Sequence, residues 1–419
     1  MSTRPDLSKI DFTDIYVDPE WAALQPGRYE NAVKTFEENF GSADDAQIYS
    51  APGRTEIGGN HTDHQHGEVL AASINRDAIA VVKKTDNGTV RVISGTSDMI
   101  TTDTNDLLCQ ADEEGTTAAL IRGVLAGLVQ DGYKAGGFDA YITSDVLIGA
   151  GLSYSAAFET LIGTITSGLY NDMKIDPVTI AKVGQYAENV YFGKPCGLMD
   201  QTACSVGNMV HIDFKYPDNP EVEKIEFDFT KTGYSLCITD TKGSHSDLTA
   251  DYAAIPNEMK AVASLLGHDV LRPVTLGDII ANIGMLREKA GDRAVLRAIH
   301  FTEETTRAGK EASALKNGDL WEFLKLVKAS GNSSAKYLQN VYTNNDVAHQ
   351  NVSVALAVSE AVLGNEEVAR VHGGGFAGTI QAFVKNDNAQ HYREVMDSVF
   401  GEGACEILKI RKYGGIRVL

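Results

Sequence analysis

The sequence predicts an α+β protein built from two lobes, and three observations lead to that fold class. The chain has 419 residues, more than one hydrophobic core usually organises, because domains rarely grow beyond about 250 residues. Its apolar fraction of 43% and charged fraction of 22% are typical of a folded globular protein and exclude a mainly disordered chain. Predicted strands and helices are mixed without strict β-α-β alternation, which favours α+β over a doubly wound parallel sheet.

Hydrophobic periodicity predicts the elements in chain order. The first half contains helices and short strands over residues 20–40, 67–102, 117–131, 139–143, a long helix up to Leu169, and 178–192. The second half contains strands near residues 209–214, 223–228, 235–239, 367–371 and 379–384, and helices near residues 250–265, 290–306, 319–340 and 347–362. Pro217 and Pro220 interrupt regular structure, so we expect the domains to be residues 1–218 and 219–419.

Glycines mark two predicted chain reversals in the first half. Gly41 follows the first helix and is expected to end it. Asn87 and Gly88 lie between the predicted strands 81–84 and 90–94, and an Asn-Gly pair readily adopts the positive φ angles of a hairpin turn. We therefore expect the two runs to form a hairpin.

Charge and composition exclude several classes of partner. The formal net charge of −20 argues against binding to nucleic acid or an anionic membrane, whose phosphates would be repelled. No apolar run approaches the roughly 18 residues of a membrane span, and the first residues have no signal-peptide pattern. The five scattered cysteines are expected to be free thiols. We expect a cytoplasmic protein, a monomer or weak homo-oligomer, with small-molecule ligands only.

A glycine-rich segment at residues 148–156 separates a predicted strand from a predicted helix. Gly149 and Gly151 allow the backbone to approach a ligand, and the amides that follow belong to a helix N-terminus, which attracts anions. The segment is neither a Walker A loop nor a G-x-G-x-x-G loop, because its sixth position is Tyr154. Phosphate binding and a simple glycine turn capped by Ser153 are both open.

A second segment, residues 51–67, concentrates polar side chains in a stretch with four glycines. Arg54, a carboxylate and several neutral hydrogen-bonding groups suit a polyhydroxyl ligand, each hydroxyl of which both donates and accepts. A solvated turn is the simpler alternative. Zinc binding is a second alternative, although the spacing of the possible ligands matches no structural zinc site. These ligands are His61, Asp63, His64 and His66.

Two carboxylates and a second glycine cluster complete the candidate chemistry. Glu188 lies late on a predicted helix, and Asp200 follows a Gly-Pro break among small and apolar neighbours. Burial would raise the pKa of Asp200, and a nearby arginine would lower it again and keep the group a usable base. A surface charge is the alternative for either carboxylate. The glycines at 373–375 either pack against a ligand or form a compact turn.

In their order and spacing along the chain, four segments resemble the galactokinases, a family within the GHMP small-molecule kinase superfamily: residues 51–67, 148–156, 184–201 and 370–378. The resemblance extends from about residue 45 to the C-terminus. The resemblance implies the two-lobed GHMP fold, with an N-terminal mixed-sheet lobe and a helix-rich C-terminal lobe that carries an antiparallel sheet. It also implies phosphorylation of galactose at its anomeric C1 hydroxyl, with ATP as the donor and Mg²⁺ as the metal ion.

The resemblance also assigns roles to residues. Asp200 would be the base, and Arg54 would lower its pKa and stabilise the transferring phosphoryl group. Ser155 and Glu188 would bind Mg²⁺. The ATP-binding residues would be Ser94, Gly149, Ala150, Gly151, Leu152, Ser153, Tyr154 and Ser155. The sugar-binding residues would be Asn60, His61, Thr62, Asp63, Gly197 and Tyr252, the last matched through residues 244–246.

One departure from the family pattern bears on the substrate. Galactokinases usually have glutamate where this chain has Asn60, and the loss of a negative charge would weaken repulsion against a 6-carboxylate. Galacturonate is therefore an alternative substrate. A non-catalytic sugar sensor on the same scaffold is a second alternative, which the retention of Ser155 and Asp200 argues against.

Overall fold

The computed structural model describes residues 3–146, 151–243 and 248–419, and it divides into two compact units. Unit 1 consists of three segments: Met1–Arg54, Ala72–Asn208 and Ile410–Leu419. Unit 2 consists of Thr55–Ala71 and Met209–Lys409. The chain thus passes between the units more often than a division at residue 218 implies. The reason is that two long strands each contribute residues to both units.

The helices of unit 1 are α1 (Phe12–Tyr16), α2 (Pro19–Phe40), α3 (Thr117–Gln130), α4 (Tyr154–Asn171), α5 (Pro177–Tyr186) and α6 (Met199–Val206). Those of unit 2 are α7 (Thr249–Leu265), α8 (Leu276–Ala281), α9 (Ile283–Ala290), α10 (Asp292–Lys316), α11 (Leu320–Ser333), α12 (Asn351–Val362) and α13 (Asn386–Phe400). Two π-helical segments, Ala187–Phe192 and Ser334–Leu338, continue α5 and α11.

The strands are β1 (Gln47–Gly58), β2 (Glu68–Lys84), β3 (Thr89–Ser94), β4 (Ile100–Asp103), β5 (Phe138–Ser144), β6 (Met209–Asp213), β7 (Glu221–Ile225), β8 (Tyr234–Asp240), β9 (Val368–His372), β10 (Thr379–Lys385), β11 (Cys405–Leu408) and β12 (Ile416–Arg417). Most helices and strands predicted from periodicity are confirmed. Periodicity did not predict α1, α6, α8, α9, α13, β1 or the two C-terminal strands.

Local sequence explains where α2 begins and ends. The Asp18 side chain accepts hydrogen bonds from the backbone N–H groups of Glu20 and Trp21 at 2.9 and 3.1 Å, and proline at the first helical position has no N–H that would need a partner. The helix ends at Gly41, whose φ of +85° is a left-handed conformation that glycine adopts without strain. The predicted helix over residues 20–40 is confirmed.

The sheet of unit 1 has the strand order β12-β1-β2-β5-β3-β4. It is mixed, because β3 and β5 run parallel while β2 and β5 run antiparallel. The predicted hairpin is wrong: β5 lies between β2 and β3, and Ala140 pairs with Val82 on one side and Val92 on the other. Gly88 does turn the chain with φ +67°, but pairing with the distant β5 decides the register.

Both faces of the unit 1 sheet are covered. Successive residues of a strand point to opposite faces, and along β2 the residues 78, 80 and 82 pack with α3, α4 and α5, whereas residues 79 and 81 pack with α1 and α2. A strand buried on both faces reads as a continuous apolar run rather than an alternating one. This explains why β2 is much longer than the short strands expected there.

Unit 2 contains an antiparallel sheet, β11-β8-β10-β9, and β6 pairs with β7 and with β2. One hydrophobic core lies among α7, α8, α9 and α10, and a second lies between the antiparallel sheet and α12 and α13. The expectation of a helix-rich C-terminal lobe with an antiparallel sheet is confirmed. None of the helices in the described ranges is both long and apolar enough to cross a membrane.

The polar segment at residues 51–67 is not a loop throughout. β1 runs through Arg54 to Gly58 and is buried along nearly its whole length, so that only the residues from Gly59 onward form a turn. We name residues 59–66 the signature turn; it ends in a 3₁₀ helix, Asp63–Gln65. Arg54 therefore projects from a fixed strand of unit 1, while the signature turn belongs to unit 2.

Candidate active site

Arg54 on β1 forms a charged pair with Asp200 in the first turn of α6. Arg54 Nε donates to Asp200 Oδ1 and Arg54 Nη2 donates to Asp200 Oδ2, both at 2.7 Å. The third nitrogen, Nη1, donates to the carbonyl of Gly151 at 2.5 Å. Two parallel N–H···O bonds fix the plane of the carboxylate as well as its charge. The structure thus brings together the two residues predicted to be catalytic.

Asp200 is ionised in this environment. Burial opposes the charge of the carboxylate and would raise its pKa, but the Arg54 guanidinium, helped by a hydrogen bond from Ser153, brings the pKa of Asp200 below its ordinary value. Its side chain is still 32% exposed. An ionised carboxylate with a fixed orientation and access to solvent can accept a proton from a bound hydroxyl group.

Ser153, predicted to bind phosphate, makes its observed contact with Asp200. Its backbone is left-handed, with φ +57° and ψ +63°, and its side chain does not cap α4. Instead, Ser153 Oγ donates to Asp200 Oδ2 at 2.5 Å. The neighbouring Leu152 carbonyl accepts the Arg54 N–H at 3.1 Å. Gly149 and Ala150 lie outside the described residues.

Ser155 and Glu188, the predicted metal-binding pair, are also brought together. Ser155 Oγ donates to Glu188 Oε1 at 3.3 Å, and Lys194 Nζ lies 3.3 Å from the same oxygen. Glu188 is in the π-helical segment after α5 and is buried. Within the described ranges no three His, Cys, Asp or Glu side chains form a group that could hold a metal ion. One carboxylate and one hydroxyl nevertheless fit Mg²⁺, which commonly takes one or two protein carboxylates and completes its shell with water and phosphate oxygens.

Two residues at this site were missed by the sequence analysis. Gln201 Nε2 donates to Glu188 Oε2 at 2.9 Å and to Glu159 Oε2 at 3.0 Å, so it holds Glu188 from the side opposite Ser155. Burial, and then the nearby Glu188, raise the pKa of Glu159 well above its usual range, which favours its neutral form. The available signal was spacing: Glu159 follows Ser155 by one helical turn, and Gln201 follows Asp200 directly.

Ser94, the outlying member of the predicted ATP-binding set, lies at the end of β3 beside Tyr154. The two hydroxyl oxygens are 3.2 Å apart, and the ring of Tyr154 lies 6.3 Å from that of Phe158. Tyr154, the sixth position of the glycine segment, thus contacts a second predicted ATP-binding residue. Gly197, predicted to contact the sugar, lies in unit 1 just before α6.

In unit 2, Asn60 is completely buried, and its amide group makes four hydrogen bonds within the protein. Its Nδ2 donates to Glu56 Oε1 at 3.0 Å and to the Gly373 carbonyl at 2.8 Å. Its Oδ1 accepts from Ser334 Oγ at 3.1 Å and from Asn340 Nδ2 at 2.9 Å. A side-chain amide has two N–H groups and two lone pairs, and all four are used. Glu56 in turn pairs with the buried Arg370 at 2.9 Å.

Thr62 is likewise engaged by the protein itself. Its hydroxyl lies 2.8 Å from the carbonyl of Gly59 and 2.7 Å from that of Glu68, and the residue is fully buried. A threonine placed in this way closes the signature turn rather than facing a ligand. Asp63, by contrast, keeps 20% of its side chain exposed.

His61 and Tyr252 both bind the glycine segment at residues 373–375. His61 Nε2 lies 3.1 Å from the Gly374 carbonyl, and the Tyr252 hydroxyl donates to the Gly375 carbonyl at 2.9 Å. A carbonyl can only accept, so the proton of His61 is on Nε2 and Nδ1 is an acceptor. Burial lowers the pKa of His61 to about 4, which makes the ring neutral at pH 7.

The glycine segment is shaped for these contacts. Gly373 and Gly375 have φ of +61° and +82°, and a side chain at Gly374 would overlap the ring of Tyr252, since the nearest ring atom is 2.7 Å from where its Cβ would stand. Three successive carbonyls accept from Asn60, His61 and Tyr252. The segment is therefore a compact turn that orients predicted sugar-binding side chains by its carbonyl groups.

The histidines of the signature turn do not assemble into a metal site in the described structure. The rings of His61 and His64 are 6.5 Å apart, and His64 Nε2 lies 3.7 Å from Asp63 Oδ1. Neither they nor His66 belongs to any group of three potential ligands among the described residues. The zinc alternative thus has no support from the geometry.

Comparison with known proteins gives the family. The profile described as "Galactokinase galactose-binding signature" matches residues 34–84, and that described as "GHMP kinases N terminal domain" matches residues 119–208. A galactokinase of Streptomyces coelicolor is 30% identical over 380 residues, which cover 90% of this chain and 94% of that protein. The chain belongs to the galactokinase family. A galactokinase of Actinobacillus pleuropneumoniae is 29% identical over 375 residues, covering 87% of this chain and 92% of that protein.

Solved structures agree on the fold. The galactokinase of Lactococcus lactis, solved in complex with galactose, superposes with a TM-score of 0.77 at 22% identity, covering 93% of this chain and 100% of that one. The mevalonate kinase of Methanococcus jannaschii superposes with a TM-score of 0.61 at 16% identity, covering 87% and 98%. This member of the galactokinase family has the GHMP kinase fold and is a sugar kinase, an enzyme that transfers a phosphoryl group from ATP to an alcohol.

Proposed function

We propose that this kinase phosphorylates galactose at its anomeric C1 hydroxyl, giving galactose 1-phosphate and ADP. The observation that carries the proposal is the Arg54–Asp200 pair, in which a bidentate arginine keeps a partly exposed aspartate ionised. Relatives that are 29 to 30% identical over most of both chains carry the name galactokinase. The sugar, the site of phosphorylation and the residue roles belong to the proposal.

Asp200 acts as the base in the proposed reaction. One of its carboxylate oxygens takes the proton of the C1 hydroxyl. The C1 oxygen of the sugar attacks the terminal phosphorus of ATP, and the bond between that phosphorus and the ADP oxygen breaks. Arg54 keeps Asp200 ionised before the reaction and stabilises negative charge on the transferring group. Phosphoryl transfer depends on in-line positioning and charge neutralisation, and a positioned base contributes about 10²- to 10⁴-fold.

Residues of α4 and the segments beside it hold the nucleotide and metal in this proposal. The backbone from Gly149 to Leu152, the hydroxyls of Ser94 and Ser153, and Tyr154 bind ATP at the N-terminus of α4, where N–H groups without helical partners attract phosphate. Ser155 and Glu188 bind Mg²⁺, which when bound neutralises phosphate charge. Glu159 and Gln201 hold Glu188 in place.

For the sugar, His61, Asp63, Gly197 and Tyr252 remain the proposed contacts, while Asn60 and Thr62 shape the signature turn. This distinction bears on galacturonate. The argument for that substrate depends on Asn60 facing the 6-position, but the Asn60 amide is buried and fully hydrogen-bonded. Neutral His61, with an acceptor nitrogen at Nδ1, favours a hydroxyl group over a carboxylate. We therefore propose galactose as the substrate.

The decisive experiment combines a substrate panel with an Asp200 variant. Coupled ADP release should be fastest with galactose among galactose, galacturonate, glucuronate, N-acetylgalactosamine and arabinose. Asp200→Asn should reduce kcat by at least about 10²-fold while calorimetry still detects galactose binding. Asp139→Asn is the matched control, because Asp139 forms the same bidentate pair with Arg91, at 2.7 and 2.6 Å, elsewhere in unit 1.

Three outcomes would contradict the proposal. Faster turnover of galacturonate would replace the substrate, and sugar binding without any turnover by the wild type would favour the sugar sensor. Appreciable residual kcat in Asp200→Asn would remove Asp200 from the role of base.

A further inference from the structure

Helix α10 of unit 2 carries two buried polar side chains that bind the backbone of the signature turn. Glu304 Oε1 accepts from the N–H groups of Gly59 and Asn60, at 3.1 and 3.3 Å. His300 Nε2 lies 2.9 Å from the carbonyl oxygen of Asn60, and because that oxygen can only accept, His300 carries its proton on Nε2. Both side chains are completely buried, so the contacts are shielded from water.

These two side chains are themselves held by α11. Ser333 Oγ lies 2.9 Å from His300 Nδ1, which as the unprotonated nitrogen accepts its hydrogen. Ser330 Oγ donates to Glu304 Oε1 at 2.5 Å, and Arg307 pairs with the other oxygen of Glu304. A buried polar network whose members satisfy one another by hydrogen bonds holds each side chain in one orientation.

The next residue, His61, has a backbone conformation that needs such support. Its φ is +59°, a left-handed value that costs a residue with a side chain free energy and persists only where the surroundings impose it. Fixing both the N–H and the carbonyl of Asn60 determines the direction in which the chain enters His61. The imidazole of His61 then reaches the carbonyl of Gly374.

We infer that His300 and Glu304 are positioning residues that set the affinity of this kinase for its sugar, by fixing the backbone at Asn60 and hence the place of the His61 imidazole. The inference rests on the proposed function, since it takes His61 as a sugar contact. Neither residue reaches solvent, so neither binds the sugar directly. Their loss should therefore raise the KM for galactose and leave kcat at saturating galactose and the KM for ATP unchanged.

The first test separates the two hydrogen bonds of His300. His300→Asn keeps an acceptor close to the place of Nδ1 for Ser333 but has no donor at the place of Nε2. Its KM for galactose should rise about ten- to a hundred-fold, the effect of leaving a buried carbonyl unpaired. His300→Gln extends a donor toward the Asn60 carbonyl and should restore most of the affinity. A purely structural role would lower thermal stability in both variants without this difference in KM.

The second test compares two carboxylates on one face of α10. Glu304 binds the signature turn, whereas Glu311, also fully buried, has no hydrogen-bond partner for either oxygen among the described residues. Glu304→Leu should raise the KM for galactose at least as much as His300→Asn does. Glu311→Leu makes the same chemical change on the same helix and should leave that KM unaltered.

The outcomes distinguish this inference from the proposed function. If the wild type phosphorylates galactose and the folded His300→Asn and Glu304→Leu variants keep its KM, the inference is wrong and the function stands. Equal losses in kcat and in both KM values would also overturn it, because that pattern indicates general damage. If the wild type phosphorylates another sugar of the panel instead, the proposed substrate is wrong, and the same variants are measured with that sugar.

Discussion

At the scale of single residues, the Ser153 hydroxyl donates a hydrogen bond to the Asp200 carboxylate and does not cap α4. A serine before a helix usually accepts a hydrogen bond from the first turn. Ser153 has a left-handed backbone, makes no such cap, and donates to Asp200 at 2.5 Å. A hydrogen bond to an ionised carboxylate stabilises the charged form and lowers the pKa.

Removing this hydroxyl should make Asp200 a weaker acid. A hydrogen bond to a charged group contributes about 1.5 to 3 kcal/mol, and 1.4 kcal/mol corresponds to one pKa unit. In Ser153→Ala, the acid limb of the pH profile of kcat/KM should therefore move up by about one pH unit. Since Arg54 remains, kcat at alkaline pH should stay close to that of the wild type. Steady-state rates measured from about pH 3, below the ordinary aspartate pKa of about 3.9, up to about pH 9 show the shift.

A serine–aspartate pair far from the site is the control for this prediction. Ser8 Oγ donates to Asp6 Oδ1 at 2.6 Å on the surface of unit 1, and Ser8→Ala should leave the profile unchanged. A raised KM for ATP with an unmoved acid limb would contradict the prediction and assign Ser153 to the phosphates alone.

The residue scale also shows what the sequence can predict at the site. Arg54 and Asp200 are 146 positions apart, and only the resemblance to a family could join them, because no local pattern encodes a contact at that distance. The family pattern could not predict that Asn60 points into the protein. Its four partners are Glu56, Ser334, Asn340 and Gly373, and two of them, Ser334 and Asn340, lie outside the four segments of the family pattern.

At the scale of elements, α10 carries two buried carboxyl groups that have opposite surroundings. Glu304 and Glu311 are seven residues apart and therefore lie on one helix face. Burial opposes the charge of Glu304, but its electrostatic interactions with His300, Arg307 and Arg370, helped by a hydrogen bond from Ser330, keep its pKa below the ordinary value. Burial raises the pKa of Glu311 well above its ordinary value, and its carboxyl group occupies the space that a side chain at Gly58 would need.

Glu311 should make the protein less stable as the pH rises. Its folded pKa is raised above the unfolded value of about 4.5, so the stability it contributes is complete below that value and is lost as the pH rises toward the folded pKa. Glu311→Gln keeps the shape and cannot ionise. The melting temperature of the variant minus that of the wild type, measured by calorimetry, should increase progressively from about pH 4.5 upward.

Glu303→Gln is the control for this element, because Glu303 is also on α10 but keeps 38% of its side chain exposed. Parallel melting curves for wild type and Glu311→Gln across this pH range would show that Glu311 is ionised in the folded state, contrary to the prediction.

The elements also mark the limit of sequence-based prediction. Helices with a cap and a terminating glycine, such as α2, are predicted to within a residue or so because both signals are local. The hairpin at Asn87 and Gly88 fails because the turn residues are suitable but β5, some fifty residues later, takes the place between the two strands. β1 was taken for a loop because its polar residues do not alternate; they are buried among groups that only the folded chain supplies.

At the scale of the whole molecule, residues near both ends of the chain contact one buried aspartate in unit 1. Asp77 on β2 binds Arg28 of α2 at 2.6 Å and Arg411 of the C-terminal tail at 3.0 Å. Ser50 and Tyr16 also donate to it. Asp77 and Arg411 are completely buried. The last residues continue from this point into β12, which pairs with β1, so residues far apart in sequence share one site of charge.

Arg411→Met should therefore destabilise unit 1 strongly. Removing one partner of a buried ion pair costs about 3 to 5 kcal/mol, and the loss here should be at most that large, because Arg28 still pairs with Asp77. The chain has two tryptophans, Trp21 in unit 1 and Trp321 in unit 2, so fluorescence of a Trp321→Phe background during urea unfolding reports on unit 1. Arg417→Met, at an exposed position of β12, removes a positive charge from the same tail and should cost little.

The pH dependence gives this prediction its sign. Burial would raise the pKa of Asp77, but Arg28 and Arg411 bring it below its ordinary value. The stability that Asp77 contributes is therefore present above the unfolded pKa of about 3.9 and is lost as the pH falls through the folded pKa. Without Arg411 the folded pKa rises, and the difference between variant and wild type should narrow in acid. Asp77→Asn combined with Arg411→Met should recover part of the loss at pH 7, since residue 77 then carries no charge and Arg28 keeps Asp145, 3.0 Å away, as a partner. If Arg411→Met is no less stable than Arg417→Met, the prediction is wrong, and Arg28 alone compensates the charge of Asp77.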